Sequence, residues 1–106
     1  MGEGTLYTLG IWETKVGKEA EFIETWQSFA EWTSQNQPGA SIGKLLQNEE
    51  TPQRFVSFGP WEDAESIDDW RNQPQFREFA AKVRDLCMEF EPQNMTLVAH
   101  SSHMDQ

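Results

Sequence analysis

Five tryptophans in a chain of 106 residues are the first candidates for chemistry. An indole is a broad apolar wall that also carries an N–H donor. Trp26, Trp61 and Trp70 are the candidate donors, with Phe76 and Phe79 as ring walls beside them. Aromatic residues make up 12% of the chain, enough to line a cavity for a flat apolar ligand or to form an aromatic partner surface. The competing role is an ordinary helix core, which needs the same residues at the same spacing. Tyr7 and His100 are the polar groups on predicted strands with catalytic potential. Histidine titrates near neutrality and could take a phenolic proton. The plainer role for Tyr7 is a half-buried ring with a hydrated hydroxyl. Arg54, Arg71, Arg77 and Arg84 could each grip a carboxylate or phenolate, and Arg84, one position from an apolar stripe, is the best placed. Pairing with the many acids in solvent is the competing role.

Other motifs lead nowhere specific. His100 and His103 have H-x-x-H spacing and Asp105 follows, but in a polar tail this spacing is not expected to hold a metal. Cys87, the single cysteine, lies on a helical apolar stripe and reads as a small buried residue. No disulfide can form within the chain. Gly39-Ala40-Ser41-Ile42-Gly43 has the letters of a nucleophile elbow, yet a helix precedes and a strand follows, which reverses the required context. No P-loop, GxGxxG or CxxC is present. The net charge of −10, from 18 acids against 8 bases, disfavours nucleic acid and anionic membrane surfaces as partners. No apolar run reaches the roughly 20 residues of a membrane span. Met1-Gly2-Glu3-Gly4 lacks the features of a signal peptide, so a cytoplasmic location is expected.

The elements that must position these residues follow from hydrophobic period. Thr5–Glu13 reads as a strand, with Tyr7, Leu9 and Ile11 on one face and Leu6 and Trp12 on the other. Residues 18–36 read as a helix through Ala20, Ile23, Trp26, Phe29 and Ala30, with Trp32 off the stripe. Residues 40–48 and 53–60 form two strands joined by a short turn, hence an antiparallel hairpin. A short helix over 61–72 has Asp63 as N-cap. Pro74 opens a second helical stretch, 75–90, which Pro92 is expected to stop. Residues 94–101 form the last strand. The order β-α-β-β-α-β is that of an α+β, ferredoxin-like fold: a four-stranded antiparallel sheet with helices on one face. The first strand is apolar on both sides, so the open sheet face needs a cover, and a second copy of the chain is the expected one.

Three stretches resemble the antibiotic biosynthesis monooxygenase family of dimeric α+β barrels. They are Tyr7–Glu13 running through Lys15-Val16-Gly17-Lys18 into a helix with Glu21, Phe22 and Trp26; Phe55-Val56-Ser57-Phe58-Gly59-Pro60-Trp61-Glu62 with Asp63-Ala64-Glu65; and Trp70-Arg71-Asn72-Gln73-Pro74-Gln75-Phe76. They are signatures of fold and not of catalysis. The resemblance covers about Leu6 to His100 and frames a domain over 5–101, with an extension at 1–4 and a tail at 102–106. It implies a homodimer whose subunits each hold an apolar pocket between sheet and helices. Some relatives oxygenate phenols, quinols or polyketide-like rings with no metal or flavin, others degrade haem, and many have no demonstrated activity. Haem-degrading relatives use an Asn, a Trp and a His; Trp70 matches the Trp, whereas Gly10 and Ala80 stand at the other two positions. The expectation is therefore a cofactor-independent monooxygenase acting on a small aromatic substrate. The alternatives are a non-catalytic small-ligand binder or accessory domain, and a haem-binding or haem-degrading protein. For such an oxygenation, Trp26, Trp61 and Trp70 would stabilise the oxyanion, Phe76, Phe79 and Arg84 would hold substrate, and His100 or Tyr7 would take the proton.

Overall fold

A computed structural model describes residues 4–101. Four strands and three helices follow in the order β1 (Leu6–Thr14), α1 (Glu19–Asn36), β2 (Lys44–Gln47), β3 (Arg54–Trp61), α2 (Ala64–Arg71), α3 (Pro74–Leu86) and β4 (Cys87–Thr96). The sheet order is β2-β3-β1-β4, and every neighbouring pair is antiparallel. This is the ferredoxin-like α+β fold that the element order predicts. Among the described residues, no helix is long and apolar enough to cross a membrane.

Local chemistry explains most boundaries. Gly17 turns the chain from β1 toward α1 at φ +84°, a conformation that suits glycine. Acids Glu19 and Glu21 occupy the first turn of α1, where the helix dipole favours them. The Asp63 carboxylate accepts the Ser66 N–H at 2.8 Å and caps α2 as expected. That bond and the Ser66 side chain hold its carboxyl below the usual 3.8. Pro74 sits in the first turn of α3, where its missing N–H costs nothing. In the β2–β3 turn, the Asn48 side chain accepts the N–H groups of Glu50 and Thr51.

Two expected boundaries are corrected. The last helix ends at Leu86, not at 90, and β4 begins at Cys87 and runs through Pro92. Cys87 pairs with Thr14 and Phe90 with Trp12, on either side of a register shift. The shift lets two residues three apart share one face, so a strand segment mimics the three-residue step of a helix. Pro92 is tolerated because β4 is an edge strand. Strand β4 therefore stops at Thr96, and His100 lies beyond it, exposed and outside any strand. Strand β2 is also shorter than expected: residues 41–43 run irregularly, with one isolated bridge between Ala40 and Trp61.

Alternation on β1 divides the molecule. Even positions turn toward the helices, where Trp12 and Thr14 are buried with Phe55, Phe22, Phe79, Val83 and Leu86. Phe22 is fully buried, and a side chain of that kind contributes about 1.5–3 kcal/mol by leaving water. Odd positions face away. There Ile11 (42% exposed) pairs with Val56 of β3, which in turn pairs with Leu46 of β2 (54% exposed). Directly paired residues share a face, so these side chains form one open apolar patch.

Candidate functional site

A cavity of about 100 Å³ lies between the inner sheet face and the helices. Its floor comes from β1 and β3: Thr8, Gly10 and Trp12 alternate along one strand, Ser57, Gly59 and Trp61 along the other. Gly10 pairs with Ser57 and Thr8 with Gly59, so small residues face each other and leave room above the sheet. A Cβ on Gly10 would stand 2.8 Å from Trp12 Nε1 and 2.9 Å from Ser57 Oγ, too close for a carbon, so one of these side chains would have to shift. The walls are Trp26, Phe29 and Thr33 from α1, Trp70 and Arg71 from the end of α2, and Phe76 and Phe79 from α3.

The rings form one connected system. Phe29 stacks on Phe79 with centroids 4.3 Å apart. Trp70 meets Trp61 at 4.9 Å and the edge of Phe76 at 4.8 Å. Trp12 stacks on Phe90 at 4.0 Å and meets Phe79 edge-on at 5.8 Å. Each contact fixes the next ring, so the walls are held before any ligand arrives.

Three indoles are each paired with a hydroxyl. Trp12 Nε1 donates to Ser57 Oγ, Trp61 Nε1 to Thr8 Oγ1 and Trp70 Nε1 to Thr33 Oγ1, all at 3.0 Å. A hydroxyl has one proton and two lone pairs. With one lone pair taken by an indole, each hydroxyl still has its own proton to donate. The donor capacity that the sequence assigns to the indoles of Trp61 and Trp70 is thus passed to Thr8 and Thr33.

Arg71 is the one charged side chain lining the cavity among the described residues. Its Nη2 donates to Asn94 Oδ1 at 2.8 Å. No carboxylate, imidazole, amine or thiol lines the cavity among those residues. No group of three or more His, Cys, Asp or Glu residues is placed to hold a metal among them either. His103 and Asp105 lie outside the described residues.

Of the candidates from sequence, Trp26, Trp61, Trp70, Phe76, Phe79 and Arg71 meet at this cavity. Three do not. Tyr7 pairs with Pro60 and Met95 on the opposite sheet face. Arg84 is exposed on α3, and Arg71 lines the cavity where Arg84 was expected. His100 lies beyond the sheet. Sequence reasoning missed Thr8, Thr33, Ser57, Trp12 and Phe29 as lining residues, and ranked Arg84 above Arg71. The signal for Thr8 was available: it shares parity with Trp12 on β1. Nothing local marks Thr33, which matters only because Trp70 arrives 37 residues later to donate to it. Cys87 is buried as expected, and burial pushes its thiol up to about 11, against a smaller opposing pull from Lys15.

Residues 6–82 match the family model for antibiotic biosynthesis monooxygenase. Several solved structures share the fold. Protein SO0527 from Shewanella oneidensis superposes with a TM-score of 0.81 at 16% identity, covering 92% of this chain and 96% of that one. SnoaB, a cofactor-independent oxygenase from Streptomyces nogalater, superposes at 0.80 and 20% identity, covering 96% and 99%. A conserved protein from Methanosarcina mazei Go1 does so at 0.80 and 19%, covering 90% and 94%. At these identities the likeness establishes the fold. No curated protein matches the sequence at a significant level.

Proposed function

The chain belongs to the antibiotic biosynthesis monooxygenase family, and from that premise we propose that it oxygenates a small phenol or related aromatic ring with O2, using no metal or organic cofactor. The carrying observation is a ring-walled cavity whose polar lining consists of hydroxyls, three of them each accepting an indole N–H, and one arginine. SnoaB, of the same fold, is a cofactor-independent oxygenase, which agrees with this reading.

Such a reaction makes modest demands. The substrate loses a ring O–H proton, and the resulting anion gives an electron to O2. A phenol with an open para position can supply every electron: phenol plus O2 gives para-quinone plus water. One oxygen atom enters the ring and the other leaves as water. Here Thr8, Thr33 and Ser57 would donate to the developing oxyanion, and the rings would hold the substrate flat and exclude water. With no base among the described lining residues, the proton leaves according to the substrate's own acidity.

The direct test is O2 uptake with 1-naphthol. The expected result is 1,4-naphthoquinone, with one atom of labelled oxygen incorporated per quinone. The rate should climb with pH as the naphthol ionises, showing no protein-derived plateau near neutrality. The lack of a lining base also suits a protein that binds a ring without transforming it. Binding of 1-naphthol without O2 uptake would establish that second role. We further infer that two copies pair through the open apolar sheet face, since a monomer rarely exposes so much apolar surface in one patch.

A further inference from the structure

We propose that the cavity selects aromatic ligands carrying an anionic substituent, and that Arg71 and Thr8 form the pole that recognises it. This deepens the function proposed above and rests on it.

The two residues share one end of the cavity. Arg71 closes α2 and reaches Asn94 on β4. Asn94 pairs directly with Thr8 across the β1–β4 ladder, on the same sheet face. Opposed side chains of an antiparallel pair stand about 4.5–5.5 Å apart at Cβ. The guanidinium and Thr8 thus each meet Asn94, and both line the same cavity.

The hydrogen-bond inventory at this pole is one-sided. Asn94 Oδ1 accepts from Arg71, and Thr8 Oγ1 accepts from Trp61 Nε1. What remains on these groups is mostly donors: the other guanidinium N–H groups, the Asn94 amide N–H2 and the Thr8 O–H. A cluster with its acceptors engaged and its donors unspent is complementary to an anion. A carboxylate fits best, because the guanidinium fork can meet both of its oxygens.

Charge supports the same assignment. The chain carries 18 acids, so an arginine kept for structure alone has abundant partners. The ion pairs among the described residues are Lys18–Glu21 and Arg54–Glu13; Arg71 is outside both, as are Lys15, Lys44, Arg77, Lys82 and Arg84, but of these Arg71 alone lines the cavity. A net charge of −10 repels anions at large, so a selective anion site needs a fixed cation free of competing carboxylates.

The test is a matched pair of ligands titrated by calorimetry: 5-hydroxy-1-naphthoate, and 1-naphthol, which lacks the carboxylate. The acid is expected to bind at least ~10-fold tighter at low ionic strength, with the preference shrinking as salt rises. Arg71→Gln should erase the preference while 1-naphthol still binds. Arg71→Lys should restore part of it, because charge returns without the fork. Lys82→Gln, an equal charge change on the exposed side of α3, should leave the preference intact. Circular dichroism on each variant separates loss of fold from loss of recognition. A merely structural role for Arg71 would weaken both ligands alike and leave no salt-dependent difference between them. Equal binding of the two ligands by the unaltered protein overturns the anion pole while leaving the aromatic site standing. Failure of both to bind overturns the aromatic site itself, and the pole with it.

Discussion

Thr14 is wholly buried, and its Oγ1 has no hydrogen-bond partner among the described residues. A buried hydroxyl without a partner costs more than the methyl group of the same shape. Thr14→Val is therefore expected to raise stability by about 1 kcal/mol, read from the urea midpoint. Ser57 is the opposite case, because Trp12 Nε1 depends on it. Ser57→Ala strands that indole N–H and should cost about 1–3 kcal/mol. Gly10→Asn should disrupt the same Trp12–Ser57 bond by crowding. The large rings were legible in the sequence because their spacing repeats. The hydroxyls were not, because each acquires its meaning from a partner far along the chain: Trp12 and Ser57 are 45 residues apart, Thr8 and Trp61 are 53 apart. Arg84 was preferred over Arg71 for its nearness to a stripe, but closeness in sequence to an apolar face still left it on the solvent side.

Elements were easier to foresee than their ends. The hairpin, the Asp63 cap and the proline entry to α3 each follow from a local rule that the tertiary structure leaves alone, whereas the buried face of α1 is turned from the expected stripe: Phe22 and Thr33 are buried while Ala20 and Ile23 are exposed. The α3–β4 junction was not foreseen either, since a register shift on β4 imitates helical spacing and an edge position excuses Pro92. Two pH responses belong to this scale. The Asp63 carboxyl is held below 3.8 in the fold, so its contribution to α2 is present above that value and is lost as pH falls through the folded one. Asp63→Asn keeps an N-cap while abolishing this acid loss, measurable as a flatter Tm between pH 5 and pH 2 (about the span of carboxyl titration). At the other extreme, Cys87 joins α3 to β4 with a thiol raised from 9.0 to about 11. Its neutral form favours the fold, so stability should decline as pH rises from 9.0 toward 11, and Cys87→Ala should remove that slope.

At the scale of the whole molecule, the sheet has two unlike sides. One is filled by helices and encloses the cavity; the other presents Ile11, Val56 and Leu46 to solvent, with Met88 and Met95 also exposed. The two-sided apolarity of β1 was plain in the sequence, because alternation can be counted without knowing the partners. If a second copy covers the open side, Ile11→Glu with Val56→Glu should halve the mass seen by sedimentation while far-ultraviolet circular dichroism stays unchanged. Retention of the larger mass would show that another surface carries the assembly. The rims of the sheet tell against growth in the other direction. β2 is only four residues long, and β4 places Pro92, without an amide hydrogen, midway along its outer margin. A strand approaching from the side would find a missing rung there, which disfavours extension of the sheet into a ribbon. Pro92→Val would supply the rung, and dye-detected fibril growth from an otherwise intact domain is the outcome it should produce.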